Sequence, residues 1–300
     1  MYHFLSVLGG VIIAMMVVLN GELTSFYGLY SATVVIHLAG LLLISILITA
    51  RRERFLPANK LPFHLYLGGA VGVATVVSTS MSYGRISVSA ILAISLLGQC
   101  LTSLVFDRYG FLGMQKHAFA KMKLLGIAFV VLGIVFMTSD SKMNALVPII
   151  VSLLSGATTV ISRTINAALA QRTSVLTSTF YNYLVGLALS AVILFIAGWR
   201  EPMLTQFSLS PEVWIYLGGI LGVGFVTLLN VAVCKISSFY MTLLMFAGQV
   251  FAGIAIDMML TGIFSLNNLL GGVLVTVGLV QNLWADKRGN ARSACRAVSD

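Results

Sequence analysis

The sequence predicts an all-α integral membrane protein with ten transmembrane helices, arranged as two inverted five-helix repeats. The composition is 59% apolar and only 9% charged over 300 residues, with a mean hydropathy of +1.00. Long apolar runs recur along the chain, and the phrase YLGGAVGV at residues 66–73 returns as YLGGILGV at residues 216–223. Because a soluble domain is about one quarter charged, this composition indicates a chain that lies in lipid.

Ten apolar runs have the length of a membrane span. Their predicted bounds are Phe4–Gly21, Leu29–Ala50, Phe63–Ser82, Ser87–Phe106, Met122–Thr138, Val147–Leu169, Leu176–Gly198, Val213–Val233, Phe239–Met259 and Leu266–Ala285. At a rise of about 1.5 Å per residue, runs of about 17 to 25 residues cross a hydrocarbon core of about 30 Å. Barrel strands would be about 10 residues long and would alternate in polarity, so the runs predict helices.

The basic residues predict the orientation. An even number of spans puts both termini on one side. That side collects fourteen of the 18 Lys and Arg residues, the other side has Arg85, Lys142 and Arg200, and Arg163 lies within a span. The positive-inside rule therefore predicts that both termini are cytoplasmic. The fourteen are Arg51, Arg52, Arg54, Lys60, Arg108, Lys116, Lys121, Lys123, Arg172, Lys235, Lys287, Arg288, Arg292 and Arg296.

The net charge of +9 requires no nucleic-acid partner, because membrane topology accounts for it. The basic tail from Lys287 is either a solvated anchor or a contact for anionic lipid. The first span has no basic segment before it and is expected to stay uncleaved. The three cysteines are too scattered for a disulfide or metal framework, and no cofactor is expected.

Internal similarity extends well beyond the quoted phrase. At an offset of 150, Gly98-Gln99 matches Gly248-Gln249 and Asp107 matches Asp257; at 146, Asn20 matches Asn166. We therefore expect a first repeat at 1–142, a second at 143–284 and a cytoplasmic tail at 285–300. Since five is an odd number of spans, the copies would enter the membrane from opposite faces, as in many secondary transporters.

The chain resembles the YdcZ-like family of the drug/metabolite transporter superfamily. The resemblance rests on Gly68-Gly69, the Gly98-Gln99 pair, Asp107 with Gly110 and Gly113, the Leu125-Gly126 helix and the Asn20-Gly21-Glu22-Leu23 turn. The resemblance covers nearly the whole chain, once per half. It implies a ten-helix inner-membrane protein that transports small molecules, with two family units fused. The related small multidrug exporters carry a glutamate midway along their first helix, and neither half has one here.

The sixth span carries the clearest candidate site. Ser155, Thr159, Ser162 and Asn166 follow helical spacing and form one polar stripe, with Arg163 at its margin. An ionisable residue inside a span is costly and marks a functional site by default. Arg163 would bind a carboxylate or phosphate of the substrate, or else it reaches the headgroups or pairs with a carboxylate.

Further candidates lie in other spans. Asn20 and Asn166 are repeat mates that would donate to substrate or join helices. Proton-relay candidates are His37, whose repeat mate is Tyr183, and Glu22, although a core histidine and an interfacial glutamate are the alternatives. Additional predicted substrate contacts are Asn182, Gln99 and Gln249, the glutamines either lining a cavity or locking the halves together.

These observations predict a secondary transporter for a small polar or anionic metabolite in the inner membrane, working by alternating access, with protons as a candidate coupling ion. Its expected partners are a small-molecule substrate and the lipid bilayer. The alternative is a non-transporting scaffold whose polar stripe would face a partner subunit. No catalytic constellation is visible, so an enzyme is not expected. The oligomeric state is not predicted.

Overall fold

The computed structural model describes residues 2–57, 60–109, 122–139, 146–205, 208–233 and 238–299, with side chains described except at 2, 107–108, 122–123, 227–233, 238–243 and 285–299. Throughout this part of the chain the regular elements are helices. They are α1 Tyr2–Tyr27, α2 Leu29–Arg51, α3 Gly68–Ser82, α4 Val88–Tyr109, α5 Met122–Thr138, α6 Leu146–Arg172, α7 Val175–Ala197, the short α8 Pro202–Thr205, α9 Leu217–Val233, α10 Ser238–Thr261 and α11 Leu266–Ser299.

Eight helices of the described chain are long and apolar enough to cross a membrane. They coincide with eight of the ten predicted spans. The fifth and eighth predicted spans correspond to shorter apolar helices, Leu124–Thr138 and Val213–Val226. Large apolar side chains cover much of the surface: Phe195, Met259 and Ile46 are 86%, 79% and 64% exposed. Such a surface suits contact with lipid and not with water.

The chain forms two compact units, and both contain residues from each half of the sequence. The first unit comprises Met1–Ala14, Arg85–Gly156 and Leu228–Asp300. The second unit comprises Met15–Gly84 and Ala157–Thr227. Because α1 and α6 each contribute to both units, the units do not follow the proposed repeat boundary, which stays a prediction.

Glycines set the helix packing of the first unit. A Cβ atom at Gly126 of α5 would lie 2.5 Å from the Gly278 carbonyl oxygen of α11. A Cβ atom at Gly133 of α5 would lie 2.5 Å from the Gly271 carbonyl oxygen of α11. Along α5 the contacts run from Gly126 to Gly133, and along α11 they run from Gly278 to Gly271. The two helices are therefore antiparallel. Backbones this close require the small residues typical of membrane helix interfaces.

The second unit contains the quoted phrase twice, and the two copies pack in matching ways. Gly69 of α3 lies against the Asn182 carbonyl of α7, where a Cβ atom would be 2.8 Å from the Gly186 nitrogen. Gly219 of α9 lies against the Ile36 carbonyl of α2, where a Cβ atom would be 2.9 Å from the Gly40 nitrogen. Each phrase therefore packs on the opposite half of the sequence.

An antiparallel pair, α2 and α7, joins the two halves within this unit. The Tyr183 ring fills the space beside Gly40, and the His37 ring fills the space beside Gly186. At an offset of 146, Tyr183 is the repeat mate of His37, and Gly186 is the repeat mate of Gly40. The repeat therefore relates one ring–glycine contact to the other.

Carboxylates hold helix N-termini in this fold. Glu201 accepts hydrogen bonds from the backbone of Tyr30, at 2.8 Å, and of Ser31, at 2.7 Å, in the first turn of α2. Gly28, with φ +95°, lets the carboxylate approach, because a Cβ atom there would lie 2.5 Å from Glu201 Cδ. A negative group at this position satisfies free N–H donors and favours the helix dipole.

The opposite end of the α2–α7 pair is joined in a similar way. Ser174, the repeat mate of Gly28, caps α7 by accepting from the Thr177 nitrogen at 3.1 Å and donates to Glu53 at 2.6 Å. In the first unit, Asp257 of α10 accepts from the backbone of Val88 and Ser89 at the start of α4.

The phrase glycines make a direct prediction. Gly69→Ala should lower the free energy of unfolding by about 1–3 kcal/mol, because the added methyl group meets backbone that cannot move aside. Thermal unfolding in detergent would measure the loss as roughly 2–4 °C per kcal/mol.

Gly224→Ala is the matched control, because no atom lies within 4 Å of the position that its methyl group would take and alanine favours the helix. Its melting temperature should equal or exceed that of the wild type. Equal destabilisation by both variants would contradict the packing described.

Candidate functional site

The polar face of α6 binds neighbouring helices of the second unit. Ser162 donates to the Gly68 carbonyl of α3 at 2.8 Å. The Asn166 amide nitrogen donates to Asn182 Oδ1 of α7 at 2.8 Å and lies 3.4 Å from Ser162 Oγ. Ser178 of α7 donates to the Asn166 carbonyl at 2.7 Å. Three predicted substrate contacts therefore form a network that joins α3, α6 and α7, and their role toward a substrate stays a prediction.

Gly68, the first glycine of the phrase, makes room for this network. A Cβ atom at Gly68 would collide with Asn166 Oδ1. One turn later, a Cβ atom at Gly72 would lie 3.6 Å from Ser162 Oγ and 3.7 Å from Asn182 Oδ1. The spacing of the glycines thus matches the spacing of Ser162 and Asn166 on α6. Thr159, another member of the predicted stripe, is half-buried and also has an interaction partner.

Arg163 differs from the residues around it. It is the eighteenth of the 27 residues of α6, about 6 Å past the helix midpoint, and its side chain is exposed. The described part of the chain provides it with no hydrogen bond or ion pair. Four carboxylates of the described chain have hydrogen-bond partners of their own: Glu22 binds Tyr83, Glu53 binds Ser174, Glu201 binds α2 and Asp257 binds α4.

Asn20 occupies the place in the first half that Asn166 has in the second. Its Oδ1 lies against Gly218 as that of Asn166 lies against Gly68, since a Cβ atom at either glycine would collide with it. Asn20 is 8% exposed. Its Oδ1 is buried and has no hydrogen-bond partner among the described residues.

His37 lies in the packed interface between α2 and α7. It is 3% exposed, and its Nδ1 is 2.7 Å from the Thr33 carbonyl. Since a carbonyl only accepts, Nδ1 carries a proton and Nε2 is the acceptor of the neutral ring. The rings of His37 and Tyr183 meet edge to face at 6.0 Å. These contacts are those of a core histidine, and a proton-relay role stays a prediction.

Glu22 accepts a hydrogen bond from Tyr83 at 2.5 Å. The Tyr83 ring lies against Gly21, where a Cβ atom would collide with it. The glutamate is therefore tied to the end of α3 instead of being free at the end of α1, and its role as a proton relay also stays a prediction.

Gln99 and Gln249 belong to the first unit, whereas the other predicted substrate contacts and the proton-relay candidates belong to the second unit. They are 8% and 3% exposed. The Gln99 backbone nitrogen would lie 2.8 Å from a Cβ atom at Gly156, and the Gln249 backbone nitrogen 2.5 Å from one at Gly10. Both stand at glycine contacts between helices, and their contact with a substrate stays a prediction.

The sequence does not indicate several contacts that shape this region. Tyr183, the repeat mate of His37 and one of the polar residues of the seventh span, donates to the Gly219 carbonyl at 3.1 Å. Tyr66 and Tyr181 pack edge to face at 4.8 Å beside the network. Their proximity depends on how α3 meets α7, which the offset of the repeat alone does not give. The described residues hold no group of three or more metal-ligating side chains.

The fold of the whole chain has a counterpart among solved structures. One of them, described only as the crystal structure of a protein, shares 15% identity and a TM-score of 0.59 over 95% of this chain and 96% of the other. At that identity it shows a shared fold and nothing about activity. A comparison with curated proteins finds no match.

A family model described as "Putative inner membrane exporter, YdcZ" matches residues 1–136 and 147–281. The two matched stretches cover most of the chain, one in each half, and so agree with the resemblance found in the sequence. The multiple apolar helices agree with a multi-pass protein of the inner membrane. The protein therefore belongs to the YdcZ family, and it matches the family model in both halves.

Proposed function

We propose that the protein is a secondary transporter that moves a small polar or anionic metabolite across the inner membrane by alternating access. Family membership supports the general class of membrane transporter. The reciprocal contacts of the two halves support a ten-helix fold made of two inverted five-helix repeats. Two nearly equivalent arrangements of such halves would open a site to each face in turn.

The reciprocal contacts are the structural argument for the repeats. Gly68 of the first half holds Asn166 of the second, and Gly218 of the second half holds Asn20 of the first. Such swapped, equivalent pairs are what a pseudo-two-fold axis produces. With five helices in each copy, the axis would lie in the membrane plane, and both termini would be cytoplasmic as the basic residues predict.

A single observation carries the substrate class: Arg163 is an exposed cation within an apolar helix, about two-thirds of the way along it, with no partner among the described residues. Charged residues at such depth are rare and face the bundle interior or a water-filled cavity. The guanidinium group is always charged and its planar fork matches carboxylate and phosphate oxygens. In our proposal Arg163 binds the anionic group of the solute, and Thr159, one turn away on α6, contributes a second polar contact.

The alternative of a non-transporting scaffold requires a polar stripe that is free to meet a partner subunit. Ser162 and Asn166 of that stripe instead bind α3 and α7 of the same chain. These two residues are therefore bound within the chain and are not available to a partner subunit, which disfavours the scaffold. Transport remains the function that this arrangement supports best.

The role of Arg163 can be tested by substitution. A thermal-shift screen of small anions would first identify a stabilising solute, since binding stabilises the folded state. Arg163→Ala should then reduce uptake of that solute into proteoliposomes by roughly 10- to 100-fold, the equivalent of losing a hydrogen bond to a charged group. Arg163→Lys should retain more activity, because the charge remains but the fork is lost.

Arg172→Ala is the control, because this exposed arginine lies in the last turn of α6. Its transport should equal that of the wild type. Unchanged uptake in both Arg163 variants would remove Arg163 from the binding site.

The proposed orientation makes an independent prediction. A reporter enzyme that is active only in the cytoplasm should be active when fused after Asp300, because the basic residues keep that end inside. A reporter that is active only in the periplasm should be inactive at the same position. A fusion at residues 140–145, after the fifth predicted span, should give the opposite result. Periplasmic activity of the Asp300 fusion would contradict the proposed orientation.

A further inference from the structure

Asn20 and Asn166 are equivalent by repeat but differ in their hydrogen bonding. Both direct Oδ1 at the first glycine of a phrase, Gly218 for Asn20 and Gly68 for Asn166. In the second half, the Asn166 amide nitrogen binds Asn182 Oδ1 at 2.8 Å, with Ser162 Oγ at 3.4 Å.

The first half lacks the residues that would complete the same network. At an offset of 146, Ile36 stands where Asn182 is, and Met16 stands where Ser162 is. Neither side chain can accept the hydrogen bonds that the Asn166 amide nitrogen donates to Asn182 Oδ1 and Ser162 Oγ. Asn20 is nevertheless 8% exposed, and its Oδ1 has no partner in the described part of the chain.

A buried amide oxygen without a donor is rare in native proteins, and each one calls for an explanation. Inside a bilayer there is little water to supply the missing donor. An apolar residue at position 20, like those at positions 16 and 36, would avoid the cost of the unpaired amide. A ligand that supplies the donor would explain why an asparagine stands there, and a second polar group nearby would help to hold that ligand.

Tyr183 provides that group on the same helix face. Its hydroxyl donates to the Gly219 carbonyl at 3.1 Å, and it also fills the space beside Gly222, where Met16 Cε would be 3.2 Å from a Cβ atom. Gly218 and Gly222 are one helical turn apart, about 6 Å along α9. The Tyr183 hydroxyl donates its hydrogen bond to the Gly219 carbonyl, and its oxygen still has lone pairs that can accept a hydrogen bond from another group.

We infer that Asn20 and Tyr183 form a second subsite, which accepts hydrogen bonds from a hydroxyl or ammonium group of the transported solute. The inference rests on the proposed function. It narrows the substrate class from small anions in general to small anions that also bear a hydrogen-bond donor. Arg163 of α6 then binds the anionic group, and Asn20 of the first half together with Tyr183 of the second half binds the donor group.

The repeat supplies a matched pair of variants for a test without ligand. Asn166→Ala removes the hydrogen bonds that the Asn166 amide nitrogen donates and should lower the melting temperature of the purified protein by roughly 2–4 °C or more. Asn20→Ala removes an unsatisfied group and should leave the melting temperature unchanged or raise it. Equal destabilisation by the two variants would show that Asn20 is paired within the protein and would overturn the inference.

Three probes of similar size test the ligand chemistry by thermal shift: acetate, glycolate and glycine. Acetate has an anionic group only, glycolate adds a hydroxyl group, and glycine adds an ammonium group. Glycolate or glycine should stabilise the wild type more strongly than acetate. The measure is the concentration that gives an equal rise in melting temperature, which should be several-fold lower than for acetate. The probe that stabilises more strongly shows whether the subsite prefers a hydroxyl group, as in glycolate, or an ammonium group, as in glycine.

In Asn20→Ala the advantage over acetate should disappear, whereas Arg163→Ala should weaken all three probes. Equal shifts by acetate and both other probes in the wild type would overturn the donor subsite while leaving anion binding intact. Stabilisation by none of the probes would overturn the inference, and uptake measurements with Arg163 variants would then decide separately whether the proposed transport function fails. A retained advantage in Asn20→Ala would assign the donor to another residue and so overturn the subsite.

Discussion

Contact between helix backbones at paired glycines is the constraint on which the rest of the structure depends. In lipid there is little hydrophobic gain from burying one apolar helix against another, so association relies on close packing and on hydrogen bonds between helices. Gly69 and Gly219 bring α3 onto α7 and α9 onto α2, and Gly68 and Gly218 leave room for an asparagine beside them. The repeated phrase is thus one packing solution used twice.

The two uses of this solution differ in polarity, and the difference gives the halves separate roles in our account. The second half surrounds Asn166 with Ser162 and Asn182 and places Arg163 beside them, whereas the first half has Met16, Ile36 and Val17 at the equivalent positions. Among the described residues, the second half consequently holds a hydrogen-bonded network and, next to it, a cation without a partner. The first half holds an amide whose oxygen lacks a donor there, and the proposed site uses what each half leaves unpaired.

Periodicity and composition predicted the helices well, because a bilayer restricts a chain to long apolar runs. The repeat offset also identified equivalent residues such as Asn20 and Asn166. It could not reveal that Asn182 binds Asn166, that Tyr183 reaches Gly219, or that Glu201 caps α2, because these contacts depend on which helices meet. Eight long apolar helices, instead of ten, reflect the shorter described helices at the fifth and eighth spans.

An experimental structure in lipid nanodiscs tests the central claim, reciprocal packing of two inverted copies, most directly. The account predicts that residues of the first half superpose on those of the second by a rotation of about 180° around an axis in the membrane plane. In that structure α3 would contact α6 and α7, and α9 would contact α1 and α2. An axis along the membrane normal, or phrase helices packed only on their own half, would contradict it.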